Sequence, residues 1–444
     1  MMKQKNLVAL LLAGGEGKRF WPITTGKSVF RFFGRTLLEH TLESLRIAGI
    51  AHAIIVTNPG DANVVRSLEI PGMELEIAIQ EHANGMADAV LSAKDTVGHR
   101  PCLILNAGDV VDDVLYEGLL KEMDNRDGLV VGKRVTSHFS GGYLTVKNDR
   151  LINIIEKPEA GREPSDLVNV VFHYFPDPAD FFKTLASTQS KNDDVYEKAL
   201  ASHAATHTVR VIAYTGPWQP VKYPWQVLGA MDMFLDKIES HKGSNVVIKE
   251  HVVIEGPVYI EDGVKIFENS KILGPCYIGK NTIIGNNNII RGSHIGTACV
   301  TGFNTDITRS YIGNDCWFHS NYIGDSVLED NISMGSGARL ANLRLDDGEI
   351  SSAIAGVKVA TGKNKLGAMI GRGVRIGVNA SIMPGIKIGK DSFIGAGVVL
   401  TRDLPEDSFC TLKPGLTITK NIKAAPASPS QGGPASREAF KKKL

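Results

Sequence analysis

The chain has 444 residues, with 49 Lys and Arg against 48 Asp and Glu and a formal net charge of +1. That length allows two or three domains, and the charge balance leaves no broad field for nucleic acid or an anionic membrane surface. Five scattered cysteines (Cys102, Cys276, Cys299, Cys316, Cys410) form no Cys-x-x-Cys pair, so neither a disulfide framework nor a zinc site is expected and a reducing cytoplasm suits them.

The apolar run near the N-terminus is too short to span a bilayer and lacks a signal-peptide layout. From Lys5 to about Lys237, apolar runs alternate with amphipathic stretches. NLVALLLAG, AHAIIVTN, LEIAIQ, PCLILNAGD and DGLVVGKRV read as strands, and LLEHTLESLRIAG and ADAVLSAKDTV carry helical spacing. The alternation predicts a parallel sheet covered by helices, with ligands at the carboxyl ends of its strands. Directly after Leu7–Leu12 comes LLAGGEGKRFWPITTGKS, Leu11 to Ser28. Backbone N–H groups of Gly14, Gly15 and Gly17 can form an anion nest. Arg19 offers a planar fork to phosphate oxygens, and Lys27 a mobile point charge. The spacing fits neither a Walker P-loop nor a dinucleotide turn, because Lys18 follows Gly17 and no third glycine closes the motif. Glycines alone also suit a tight turn before a packed helix.

After DKIESHKGSN the period changes. Ile248, Ile254, Ile260, Ile266, Ile272, Ile278, Ile284 and Ile290 recur every six residues, and Ile370, Ile376, Ile382, Ile388, Ile394 and Leu400 repeat the rule. Neither a helix nor a flat strand has that period. A triangular coil does, with one short strand per face and one inward aliphatic side chain per strand. Glycine and asparagine are expected at its corners, as in IGKNTIIGNNNII. Between the runs, residues 295–369 lose the strict period, and insertions there are expected to leave the coil as loops. Beyond Pro414 the Ala/Pro/Ser-rich tail reads as disordered or as a short terminal helix. The organisation expected is a first domain at 1–235, a linker at 236–246, a hexapeptide coil at 247–413 and a tail at 414–444.

In order, LAGGEGKRFWPIT with its following GK, QEHANGMADAV, LNAGDVVDD, IIEKPE and LVNVVFHYF resemble the sugar-1-phosphate nucleotidyltransferases over most of residues 5–235. With the hexapeptide half, the whole resembles the bifunctional N-acetylglucosamine-1-phosphate uridylyltransferase/glucosamine-1-phosphate acetyltransferases in their archaeal-type form. The resemblance implies a Rossmann-like α/β nucleotidyltransferase domain followed by a left-handed parallel β-helix. It implies attack of a sugar 1-phosphate on the α-phosphorus of an NTP, with pyrophosphate expelled. Such transfers rest on positioning and charge neutralisation. Carried onto this sequence, it gives Leu12, Ala13, Gly14 and Gly15 to the base and phosphates, and Gln80, Gly85 and Met86 to the base edge. It gives Arg19 and Lys27 to the triphosphate and Asp109 to Mg²⁺. Glu156 goes to sugar hydroxyls and Asn169 to the sugar or its N-acetyl group. Each acid and amide also has a bland alternative: Asp109 capping a turn, Glu156 paired with Lys157, Asn169 fixing a loop.

Some positions depart from the family. Gly26-Lys27-Ser28 stands for Pro-Lys-Pro, and Leu144 stands where a sugar-site glycine is usual. WQPVKYPW stands for W-x-D-V-G, so Pro220 occupies the second metal-binding acid position, with Lys222 close by as a direct charge.

In the second half, HSNYIGD, GSGARLANLRLDDG and KLGAMIG resemble the family's acetyltransferase segment. This implies His319 as general base for an attacking amine. Tyr322 and Asn342, with Arg291 nearby, would place the acceptor sugar phosphate, and Ser336, Ala396 and Lys413 would meet acetyl-CoA. Two phosphate-gripping lysines of the family fall at Thr308 and Gly348, and an asparagine at Ser333. Arg309, Lys358, Lys363 and Lys365 are the other cations available. The expected activity is UDP-N-acetylglucosamine synthesis from UTP, with acetylation of glucosamine 1-phosphate as a second activity, in a cytoplasmic homotrimer with no nucleic-acid or membrane partner. The alternatives are transfer to glucose 1-phosphate from UTP or dTTP with the β-helix a scaffold, or a degenerate regulatory subunit.

Overall fold

The computed structural model of the chain describes residues 6–413, so the tail read at 414–444 lies outside the described residues. Residues up to Cys410 form one compact unit, and Thr411–Lys413 belong to a second.

The first half is built on a nine-stranded sheet. Its spatial order is Glu74–Ile79, His52–Thr57, Val8–Ala13, Cys102–Asn106, Leu167–Phe175, Gly128–Arg134, Val209–Tyr214, Arg150–Glu156, Gly142–Lys147. Val8–Ala13 reads as a continuous apolar run because both of its faces are covered. Ala9 and Leu11 pack with Leu38, Leu42 and Leu45 on one side, and Val8 and Leu10 with Val90, Phe181 and Leu200 on the other. The helix Leu37–Ile47 starts with a capping box: the Thr36 hydroxyl accepts from the Glu39 N–H at 3.1 Å and the Glu39 carboxylate from the Thr36 N–H at 2.6 Å.

The expected all-parallel sheet is corrected to a mixed one. Leu167–Phe175 runs antiparallel between Cys102–Asn106 and Gly128–Arg134, and Arg150–Glu156 runs antiparallel to Gly142–Lys147. The last pair is joined by Asn148 and Asp149 at φ 51° and 58°. A two-residue turn with both φ positive closes a hairpin, whereas a parallel pair needs a long crossover. A second, short bridge pairs Asp109–Val111 with Trp218–Pro220 and sets Pro220 directly opposite Asp109.

The second half is a prism of three parallel sheets, with eight, nine and eight strands, as the expected left-handed coil requires. On one sheet the inward residues step by eighteen from Ile248 to Ile266 to Ile284, by seventeen to Thr301 and Phe318, and by sixteen to Met334. The lost period between 295 and 341 is therefore mostly shortened coils rather than looped-out insertions. One excursion does leave the coil, the hairpin Ile350–Ile354/Val357–Lys363. The coil also begins earlier than expected, because His241–Lys242, inside the stretch read as a linker, already pairs with Val258–Ile260.

Asparagines turn the corners at positive φ, as at Asn269, Asn281 and Asn287 (61°, 57° and 58°). Gly285 is required for stacking, since a Cβ there would lie 2.3 Å from the Gly302 carbonyl oxygen. Inward Ile266, Ile272, Ile278 and Ile284 are fully buried, each worth roughly 1.5–3 kcal/mol against exposure. The sheet that starts at His241–Lys242 is covered by the first half. Tyr277, Tyr311, Val327 and Met369 share a core there with Phe30, Phe32, Trp225 and Met231.

Candidate functional site

The carboxyl end of Cys102–Asn106 opens into a cleft of about 270 Å³ lined by Arg19, Gly85, Met86, Asp109, Glu156 and Asn169. Six of the predicted positions thus meet in one place. The Leu12 carbonyl accepts from the Ala107 N–H at 3.1 Å, which ties the first strand to the loop carrying Asp109. Ala13 ends that strand, with Gly14 buried and Gly15 exposed beyond it. Gly14 must lack a side chain, because a Cβ would fall 2.4 Å from the Gln80 Oε1. Gln80 is buried and donates through Nε2 to the Gly85 carbonyl (3.1 Å) and to Asp88 (2.9 Å). Its oxygen is left facing the glycine loop as an acceptor.

Asp109 is 5% exposed and its carboxylate accepts from Trp218 Nε1 at 2.9 Å and Asn106 Nδ2 at 3.0 Å. Burial raises its pKa, opposed by the Trp218 hydrogen bond and by Lys222 and Lys27. Lys27 does not line the cleft but stands close enough to feel it. Burial and then Arg19 lower its pKa, Asp109 opposes, and Lys222 adds to the lowering. The Lys222 ammonium donates to the Ser140 carbonyl at 2.9 Å and lies 4.7 Å from the Phe139 ring centroid. Burial is the main cause that lowers its pKa. Arg19 sits 5.9 Å from the Tyr223 ring centroid.

At the other end of the cleft, Glu156 pairs with Lys157 at 3.0 Å, inside the cleft rather than on a free surface. Asn169 Oδ1 accepts from His173 Nε2 at 2.9 Å, and His173 Nδ1 meets the Tyr196 hydroxyl at 2.7 Å. Leu144 is corrected: it is fully buried in the core behind the cleft, and Gly141 and Gly142 are the residues of that segment that reach the lining. Glu197 also lines the cleft, and no motif of the sequence points to it. Burial first, and Glu156 second, push its carboxyl up to about 7.

The second candidate site lies on the prism. His319, Ser336 and Ala396 follow three strands of one sheet, Trp317–Phe318, Ser333–Met334 and Phe393–Ile394, and so lie along one edge, with the strand Arg375–Ile376 between the last two. His319 is exposed, and its Nε2 accepts from Trp317 Nε1 at 2.8 Å. On the adjoining face, the Tyr322 hydroxyl donates to Asn342 Oδ1 at 3.3 Å, and Asn342 Nδ2 donates to Asp325.

The arginines of this site are engaged. Arg309 grips Asp325 with two bonds, 2.7 and 2.8 Å, and Arg291 Nη2 reaches both oxygens of Asp306 at 2.9 Å. Lys363 and Arg309 both act on Asp232, whose carboxyl burial pushes up to about 6. Lys413 is exposed and belongs to the second unit. Among the described residues, no helix is long and apolar enough to cross a membrane.

The nucleotidyl transferase family matches residues 8–241, and the bacterial transferase hexapeptide family (six repeats) matches 257–292 and 367–402. The gap between the two hexapeptide matches is the stretch of shortened coils and the hairpin. The chain is 31% identical over 436 residues to the bifunctional protein GlmU of Methanococcus maripaludis strain S2, covering 93% of this chain and 99% of that protein. It is 31% identical over 416 residues to the bifunctional sugar-1-phosphate nucleotidylyltransferase/acetyltransferase of Sulfurisphaera tokodaii, covering 90% of this chain and 99% of that one. A solved UDP-glucose pyrophosphorylase with UDP-glucose bound superposes with a TM-score of 0.48 and 17% identity, covering 52% of this chain and 99% of that one.

Proposed function

The chain belongs to the nucleotidyl transferase family with hexapeptide repeats, and on that premise we propose that it makes UDP-N-acetylglucosamine and pyrophosphate from UTP and N-acetylglucosamine 1-phosphate. A phosphate oxygen of the sugar phosphate forms a bond to the α-phosphorus, and the bond to the β-phosphate oxygen breaks. The observation that carries this reading is one cleft shared by Arg19, Asp109, Glu156 and Asn169, with the Lys27 charge acting on Asp109.

In this reading the Gly14 and Gly15 N–H groups and the Arg19 and Lys27 cations meet the triphosphate and the charge that develops on the leaving pyrophosphate. Lys222 adds a third cation on the same side of the cleft. Gln80 Oε1 and the Gly85–Met86 backbone face the base. Glu156 accepts from sugar hydroxyls, Asn169 bonds the N-acetyl group, and Glu197, protonated near neutral pH, donates to a sugar oxygen.

Mg²⁺ fits in a reduced form. Pro220 offers no side-chain oxygen opposite Asp109, and no group of three metal-ligating side chains exists among the described residues. Mg²⁺ held by one carboxylate, substrate phosphates and water is an ordinary arrangement, and Asp109 is the residue that would hold it. When bound, the ion neutralises phosphate charge. A pyrophosphate-release screen crossing four NTPs with several sugar 1-phosphates tests the reading. UTP with N-acetylglucosamine 1-phosphate is expected to be fastest, and a preference for glucose 1-phosphate would overturn the sugar assignment.

For the prism, the reading is acetyl transfer from acetyl-CoA to glucosamine 1-phosphate, with His319 taking the amine proton and Ser336 and Ala396 meeting acetyl-CoA. The scaffold alternative is favoured by one observation: Arg291 and Arg309 are already neutralised by Asp306 and Asp325. Release of free thiol from acetyl-CoA separates the two. The assembly is a cytoplasmic homotrimer. One face of the prism is covered by the first half of the chain, while Val247, Trp317, Phe393 and Phe409 on the second and Val253, Ile289 and Val399 on the third stay exposed. Two apolar faces per chain suit a closed three-fold ring.

A further inference from the structure

Between Arg19 and Lys27 the chain leaves the nucleotide cleft, touches the prism and returns. The contact is made by Trp21–Thr25. Glu329, just after the prism strand Val327–Leu328, is 3% exposed. Its Oε1 accepts from the Thr25 N–H (2.8 Å), the Thr25 hydroxyl (2.6 Å) and the Thr24 hydroxyl (2.9 Å). Its Oε2 accepts from the Thr24 N–H (3.1 Å) and, within the prism, from the Arg372 N–H (2.9 Å). Beside it, the Pro22 carbonyl presses on Gly371, where a Cβ would lie 2.6 Å from that oxygen. The Lys387 ammonium, ion-paired with Asp403 at 2.8 Å, sits 5.4 Å from the Trp21 ring centroid. On the far side, Gly26 packs on Asp61, whose carboxylate oxygen would be 2.1 Å from a Cβ at that position. The short turn Lys27–Val29 therefore begins from a segment pinned on both sides.

We infer that Glu329 is a positioning residue for nucleotidyl transfer: by holding Thr24 and Thr25 it sets Lys27 and the phosphate loop, which makes the prism a working part of the first site. This rests on the nucleotidyl-transfer reading above. The physical basis is the balance of donors. A buried carboxylate saturated by charge-assisted hydrogen bonds fixes its partners. Its removal leaves three backbone N–H groups without their acceptor, two of them in the loop, and the loop must shift to find water. A displacement near 1 Å of a charge that acts on the reacting phosphates costs up to about 10²-fold in rate.

The test uses the full chain and two readouts. In Glu329→Ala, hydrogen exchange across residues 14–29 should speed up about tenfold or more, while Val8–Ala13 and His52–Thr57 stay as protected as in wild type; unchanged exchange at 14–29 overturns the clamp. With whichever substrate pair the wild type turns over, kcat/KM for pyrophosphate release should fall roughly 10–100-fold, with Glu329→Gln in between. In a Lys27→Ala background the same change should add less than about threefold, because both act through one charge. Full additivity of the two losses overturns the inference. The double variant Thr24→Ala/Thr25→Ala leaves the prism intact and removes only the two hydroxyl donors, so it should show both effects in weaker form than Glu329→Ala; a loss larger than that of Glu329→Ala overturns the inference as well. If the wild type releases no pyrophosphate at all, the reading of the cleft fails, and the exchange measurement still decides whether the clamp exists.

Discussion

The cleft and the prism edge are built in opposite ways. In the cleft, Arg19, Asp109, Glu156, Asn169, Glu197 and Lys222 converge from loops, strands and a helix far apart in sequence, and Lys27 and Lys222 both act on one carboxylate, Asp109. On the prism, each side chain faces the residue one coil away, so a charge meets a fixed neighbour: Arg291 meets Asp306 and Arg309 meets Asp325. The register that makes the prism regular also neutralises its cations internally. In the cleft Lys157 is paired with Glu156, whereas Arg19, Lys27 and Lys222 make no ion pair among the described residues. Charge left unpaired in a buried place is costly, so its persistence points to a polyanionic substrate.

The largest expected break between the regions comes from His319→Ala. His319 is the base proposed for the amine proton, so thiol release from acetyl-CoA should fall by about 10²–10⁴ while pyrophosphate release is unchanged. Next, Lys27→Ala and Asp109→Ala should each lose roughly 10²–10³ in kcat for pyrophosphate release and leave thiol release intact. Steady-state assays on purified variants with normal far-UV spectra check both.

A third prediction concerns stability. The Glu197 carboxyl is raised from 4.5 to about 7. The unfolded chain ionises it near the lower value, so its contribution is fully present below about pH 4.5 and is lost as the pH rises through about 7. The loss amounts to roughly 3 kcal/mol. Urea melts from pH 4 to 8 should show this slope in the wild type and a flatter profile in Glu197→Gln. Smallest is Pro220→Asp, which restores a carboxylate opposite Asp109. It should lower the Mg²⁺ concentration for half-maximal pyrophosphate release by up to about tenfold, with no effect on thiol release.

How legible each region was in the sequence follows from the same contrast. The inward residues from Ile248 to Ile290 and from Ile370 to Leu400 could be read directly, because a coil stacks one aliphatic per face at a fixed spacing. The shortened coils between 295 and 341 hid the period without ending the coil: Thr301, Phe318 and Met334 take the same inward place. In the cleft, the glycine loop and Asp109 stood in recognisable order, whereas Leu144 proved to be core because it lies two residues further into the strand than Gly142, packed with Ile154 and Leu167. Glu197 carried no local signal, since burial beside Glu156 is a property of tertiary packing alone. The Glu329 contact joins positions about three hundred residues apart, which no local pattern reports.

The most direct measurement records pyrophosphate release and free-thiol release side by side on wild type, Lys27→Ala and His319→Ala, with UTP, N-acetylglucosamine 1-phosphate, glucosamine 1-phosphate and acetyl-CoA supplied. Expected are both products from wild type, loss of pyrophosphate alone in Lys27→Ala, and loss of thiol alone in His319→Ala. Wild-type protein that releases no pyrophosphate, or a Lys27→Ala variant that releases it at the wild-type rate, would contradict the assignment of the cleft as the site of nucleotidyl transfer.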